Sequence, residues 1–167
     1  MTKTDDNLKA AFAGESQANR MYLACAKKAE EEGFPQIAML FKAAAQAETV
    51  HALNHLRVMG QIKTTADNLG TAVTGETYEF KKMYPEFIAD AEKDGNKRAE
   101  NSFDYANKVE QIHAALYQKA LDTLKNKGQT VEADYYVCPV CGNTFEGSTP
   151  DVCPICATSK EKFMKIQ

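Results

Sequence analysis

The 167-residue chain lacks any excess of basic charge: 20 Lys and Arg stand against 23 Asp and Glu, a net charge of −3. Nucleic-acid surfaces are usually basic, so no nucleic-acid partner is expected. No apolar run approaches the roughly 20 residues that cross a membrane. The N-terminus, Met1-Thr2-Lys3-Thr4-Asp5-Asp6, has none of the apolar stretch of a secretory signal. These absences lead to the expectation of a soluble, cytoplasmic protein without a membrane partner. Histidine is scarce, at three, and there are five cysteines. Four lie in two Cys-x-x-Cys pairs and Cys25 stands alone. In a reducing compartment such pairs favour metal over disulfides.

Good helix formers dominate residues 4–32. Leu8, Phe12, Ala18, Tyr22, Ala26 and Ala29 recur at the spacing of one helical face. Gly33-Phe34-Pro35 then ends one helix and opens the next. A second helix is expected over about 35–59, a connection over 60–72, a third helix over about 73–94 and a fourth over about 97–127, ending at Gly128. A connection of about 13 residues reaches roughly 40 Å, enough to run the length of a helix of 20 to 25 residues. The second and third helices can then be parallel. The expected fold class is an all-α four-helix bundle with one long crossover, ferritin-like, over residues 1–130. A small C-terminal metal-bound β module follows over 134–167. It is too short to fold on a core of its own and needs a staple.

The helical part repeats itself. Met21-Tyr22 recurs 62 residues later as Met83-Tyr84, Ala29-Glu30 as Ala91-Glu92, Gly33 as Gly95, Glu48 as Glu110 and His51 as His113. This reads as a duplicated helical hairpin.

The chemistry lies in the apolar stripes. On the second helix the stripe reads Ile37, Phe41, Ala44, Glu48, His51; on the fourth it reads Ala99, Phe103, Ala106, Glu110, His113, Tyr117. Residues at i and i+3 share a face, so each Glu-x-x-His pair can address one metal. Glu15 interrupts the first helix's stripe, and Glu76-x-x-Glu79 the third's. Any one of these Glu could be a solvated face residue. Five converging on a core with no Lys or Arg in the stripes would cost several kcal/mol each, or would stay protonated. Two divalent cations remove that cost. One Glu from each of two helices plus Glu-x-x-His from the other two is the di-metal carboxylate pattern, and imidazole with carboxylate suits iron or manganese. Glu79 is the surplus ligand. It balances the charge of an oxidised pair, so Glu79 and His51 could exchange at one iron with oxidation state. Glu15 to Tyr22 is seven residues but Glu76 to Tyr84 is eight. A π-bulge accommodates one extra residue, so a π-turn or kink is expected between about 76 and 85.

Cys138-Pro139-Val140-Cys141-Gly142 and Cys153-Pro154-Ile155-Cys156 form two knuckles. Four thiolates make a tetrahedral site for zinc or a single iron. Tyr135, Tyr136, Phe145 and Phe163 are the candidates to shield it.

Over its full length the chain resembles the rubrerythrins. The resemblance is carried by Gly14-Glu15-Ser16-x-Ala18 with Tyr22, Glu48-x-x-His51, Gly75-Glu76-x-x-Glu79 with Met83-Tyr84-Pro85-x-Phe87, Glu110-x-x-His113 and the cysteine module. It implies two non-haem irons held by Glu15, Glu48, His51, Glu76, Glu79, Glu110 and His113, and a rubredoxin-type iron on Cys138, Cys141, Cys153 and Cys156. It implies an oxidoreductase that reduces hydrogen peroxide to water, with Glu79, His51 and Tyr22 as catalytic residues. Electrons would come from NAD(P)H through a separate reductase or a rubredoxin-type carrier. Family members are commonly homodimers in which one subunit's module serves the other's di-iron site. One departure is Ala157, where such modules usually have Gly. Two other readings stay open: a ferroxidase or iron-storage protein, which would not require the tail, and a zinc-ribbon tail that docks a partner.

Overall fold

The structure, a computed structural model, describes residues 2–127 and 132–167. It divides into two compact units, Met1–Lys63 and Thr64–Gln167. The expected stop at Gly128 lies outside the described residues.

The first unit is a hairpin of α1 (Lys3–Glu31) and α2 (Pro35–Val58). Thr2 caps α1 reciprocally with Asp5: the Asp5 amide donates to Thr2 Oγ1 (3.2 Å) and the Thr2 amide to Asp5 Oδ2 (2.7 Å). The turn is closed by Gly33 at φ 81°, which lets the Phe34 amide reach back to the Ala29 carbonyl at 2.8 Å. The helices meet through buried alanines: Ala26 and Ala29 of α1, and Ala38, Ala45 and Ala52 of α2. Ile37, expected on the inward stripe, is 49 % exposed because the contact runs through its alanine neighbours. Cys25 is half-buried.

The second unit begins with α3 (Thr65–Tyr78), a π-turn (Glu79–Met83), α4 (Tyr84–Lys93) and α5 (Lys97–Lys127). Both α3 and α4 pack on α5. Gly95 repeats the turn of the first hairpin: the Asn96 amide bonds the Ala91 carbonyl at 2.9 Å, 62 positions after Phe34 and Ala29. The duplication therefore holds down to individual hydrogen bonds. The C-terminal module is a three-stranded sheet, order β2-β1-β3, of β1 (Tyr135–Val137), β2 (Thr144–Glu146) and β3 (Met164–Lys165). Phe145 stacks on Phe163 at 4.9 Å, whereas Tyr135 is 39 % exposed.

The fold class is as expected: four helical rods, the third interrupted, and a small C-terminal strand module carrying four cysteines. The connection is not. Thr64 caps α3, its Oγ1 accepting from the Asp67 amide at 3.2 Å. Residues 65–72 are thus helix and only residues 60–64 link α2 to α3. Five extended residues reach about 17 Å, so link length alone does not carry a crossover along the helices. The π-turn falls where the extra residue required it: the Tyr84 amide bonds the Glu79 carbonyl, five residues back. Pro85, next in sequence, has no amide hydrogen to offer the ladder.

Candidate metal centres

Two clusters of the same construction occur, one per unit. In the first, Glu15 of α1 meets Glu48 and His51 of α2. His51 Nδ1 lies 2.8 Å from Glu48 Oε2 and 3.9 Å from Glu15 Oε1. In the second, Glu76 of α3 meets Glu110 and His113 of α5, with His113 Nδ1 2.7 Å from Glu110 Oε2. Within each cluster one ligand atom per residue lies within 4.8 Å of the others. The i, i+3 spacing on α2 and α5 turns Glu and His to one side, as the motif required.

The electrostatics show what these donors lack. Burial pushes the Glu76 carboxyl up from 4.5; the charge of Glu110 adds to this and His113 partly offsets it. Glu79 is raised by burial and then by Glu110. It lies outside the three-residue cluster but feels its charge. A carboxylate group that resists ionisation beside bare imidazole nitrogens is a donor set short of positive charge, which divalent cations supply.

Tyr84 belongs to this neighbourhood. Burial raises its phenol, and Glu79, Glu110 and Glu76 raise it further. The repeat aligns it with Tyr22. Tyr22 itself packs against Phe41 at 6.1 Å and joins neither cluster. His55 is half-buried and is likewise in neither.

The four cysteines converge in the second unit. Cys138 Sγ lies 3.5 Å from Cys156 Sγ, and Cys141 Sγ 3.6 Å from Cys153 Sγ. A tetrahedron with metal–sulfur bonds of about 2.3 Å has edges of about 3.8 Å, so the spacing fits one ion. Each knuckle closes alike: the Gly142 amide bonds the Cys138 carbonyl and the Ala157 amide the Cys153 carbonyl, both at 2.9 Å. Gly142 has φ 82° and Ala157 φ 59°. The alanine has not changed the loop; it occupies the left-handed conformation at a cost. Burial opposes the Cys138 thiolate, but the Cys141 and Val140 amides outweigh it and hold that thiol at about 7. Burial and the neighbouring sulfurs push Cys141 far up. Four thiolates thus need a cation to coexist.

The module sits against α5 of its own chain. Thr144 Oγ1 lies 2.8 Å from His113 Nε2, and Lys119 pairs with Glu146.

Two family models match the chain: Rubrerythrin over residues 6–121 and the rubrerythrin rubredoxin-like domain over residues 136–164. Rubrerythrin-2 of Clostridium acetobutylicum is 38 % identical, with 96 % of this chain and 95 % of the relative covered. Nigerythrin of Nitratidesulfovibrio vulgaris is 37 % identical over 96 % of this chain and 85 % of its own. The solved structure of fully reduced, all-ferrous nigerythrin matches with a TM-score of 0.59 at 33 % identity, covering 99 % of this chain and 88 % of that one. Motifs, paired clusters and relatives agree that the chain is a member of the rubrerythrin family, with iron as the metal of its carboxylate–histidine and four-cysteine sites.

Proposed function

We propose that the chain is a non-haem di-iron peroxidase: H2O2 + 2 H+ + 2 e− gives two H2O. The observation that carries this reading is the four-cysteine site seated on α5, the helix that bears Glu110 and His113. A storage protein has no use for a one-electron centre there. The proposed iron ligands are Glu15, Glu48 and His51 on the first hairpin, and Glu76, Glu79, Glu110 and His113 on the second. When bound, the iron pair supplies the two electrons that break the O–O bond, and the four-cysteine iron returns them from an external carrier.

The chain's own groups handle protons and position. Glu76 and Glu79, raised by burial, hold protons at their carboxyl oxygens more readily than solvated carboxylates do. Tyr84 stays a phenol and so can donate a hydrogen bond. Tyr22 has the same place in the other repeat. Glu79 and His51 would be the ligands that change with the oxidation state of the iron pair; oxidised and reduced structures with identical ligands would sink this point. Under the same reading the protein works in the cytoplasm as a homodimer, with NAD(P)H-derived electrons delivered by separate carriers. The test is metal analysis and anaerobic reduction, followed by one addition of peroxide. Prompt reoxidation of the four-cysteine chromophore is expected; a colourless, zinc-loaded tail would overturn the reading.

A further inference from the structure

Neither Glu-x-x-His nor Cys-x-x-Cys includes Thr144, yet its hydroxyl is the polar atom against the outer nitrogen of His113. Nδ1 of the same ring faces Glu110 Oε2 at 2.7 Å. When Nδ1 holds a cation, the neutral ring carries its hydrogen on Nε2 and the Thr144 hydroxyl accepts it. The Gly142 carbonyl, 3.2 Å from Thr144 Oγ1, then takes the hydroxyl's own hydrogen.

Packing keeps the hydroxyl in place. Gly142 lies against Val109, one turn before His113 and only 2 % exposed; a Cβ built on Gly142 would stand 3.9 Å from Val109 Cγ1. The Lys119–Glu146 pair pins the far end of β2 to the same helix. A cavity of about 240 Å3 lined by His113, Leu116, Tyr117, Tyr135 and Thr144 borders the bond.

We infer that Thr144 is a positioning residue for the carboxylate–histidine iron site: from the cysteine module of the same chain, it holds His113 in the Nε2–H tautomer and aims Nδ1 at the metal. The inference rests on reading His113 as an iron ligand. Partners that orient a ligating histidine are worth about 10- to 100-fold in metal affinity. It also means that the module reaches an iron ligand within its own chain.

Thr144→Val keeps the shape and removes the hydroxyl; Thr144→Ser keeps the hydroxyl. In the full chain with the four-cysteine iron loaded, Fe(II) binding to the carboxylate–histidine site should weaken about 10- to 100-fold in Thr144→Val and stay near wild type in Thr144→Ser. The four-cysteine spectrum, unchanged in both, reports that the module has folded. The tautomer is read separately, by long-range proton–nitrogen NMR of the His113 ring before Fe(II) is added to that site. A hydrogen on Nε2 in the wild type and Thr144→Ser, lost or mixed in Thr144→Val, supports the inference. Equal Fe(II) affinity and an unchanged tautomer in Thr144→Val overturn it. If no variant and not the wild type binds Fe(II) there, the metal reading fails and the NMR result still decides the role of Thr144.

Discussion

At the scale of single residues, the side chains that cluster were legible because each motif carries its own geometry: i, i+3 on a helix, or a knuckle of four residues. Thr144 was not legible, because its role depends on where β2 lands on α5. Ala157 was legible as a departure, and its φ of 59° makes it quantitative. A left-handed conformation costs a residue with a Cβ about 1 kcal/mol or more. Ala157→Gly should therefore stabilise the four-cysteine module by about 1 kcal/mol. The check is the denaturant midpoint for loss of the iron–sulfur chromophore; an unchanged or lower midpoint would contradict it. The raised carboxyls give a pH signature. Glu76 and Glu79 titrate above 4.5 in the folded chain, so between 4.5 and those raised values the folded state binds more protons than the unfolded one. The metal-free protein should lose stability as pH rises through that interval, and loading the site with Fe(II) should release protons. Thermal midpoints of the metal-free chain across this range test the sign.

At the scale of elements, the π-turn could be foreseen by comparing two halves of one chain. The seven-residue and eight-residue spacings cannot both sit on regular helix with their tyrosines in phase. The start of α3 was missed, although its signal was present. Thr64-Thr65-Ala66-Asp67 is a cap of the same type as Thr2 to Asp5, and the structure makes the bond. The polar Asp67-Asn68 and Gly70 masked it, since such residues also punctuate loops. Tertiary packing on α5 outweighs their low propensity. Deleting Lys81 should turn Glu79–Met83 into regular α-helix. The far-ultraviolet helical signal should persist and the four-cysteine iron should stay, while carboxylate-bound iron falls. Full retention of that iron on metal analysis would show that the π-turn does not serve the site.

At the scale of the whole molecule, composition and spacing made the small C-terminal strand module with its four cysteines readable, but not its seat on α5, which joins residues 31 positions apart, His113 and Thr144. The two parts also differ in what holds them. The module's strands are two or three residues long, too short for a sheet to persist by itself. Metal and fold are there one equilibrium. Stripping the four-cysteine iron with a chelator should abolish the Phe145–Phe163 stack, seen as lost near-ultraviolet dichroism. The helical far-ultraviolet signal should stay nearly constant; its parallel collapse would contradict this. The π-turn has a last consequence at this scale. An inserted residue advances every later side chain on a helix by about 100°. Glu79–Met83 absorbs that advance within one turn, so Ala91, Gly95, Glu110 and His113 keep time with Ala29, Gly33, Glu48 and His51. The wide turn works as an expansion joint: the lineage could lengthen one arm of a duplicated hairpin without retuning the other.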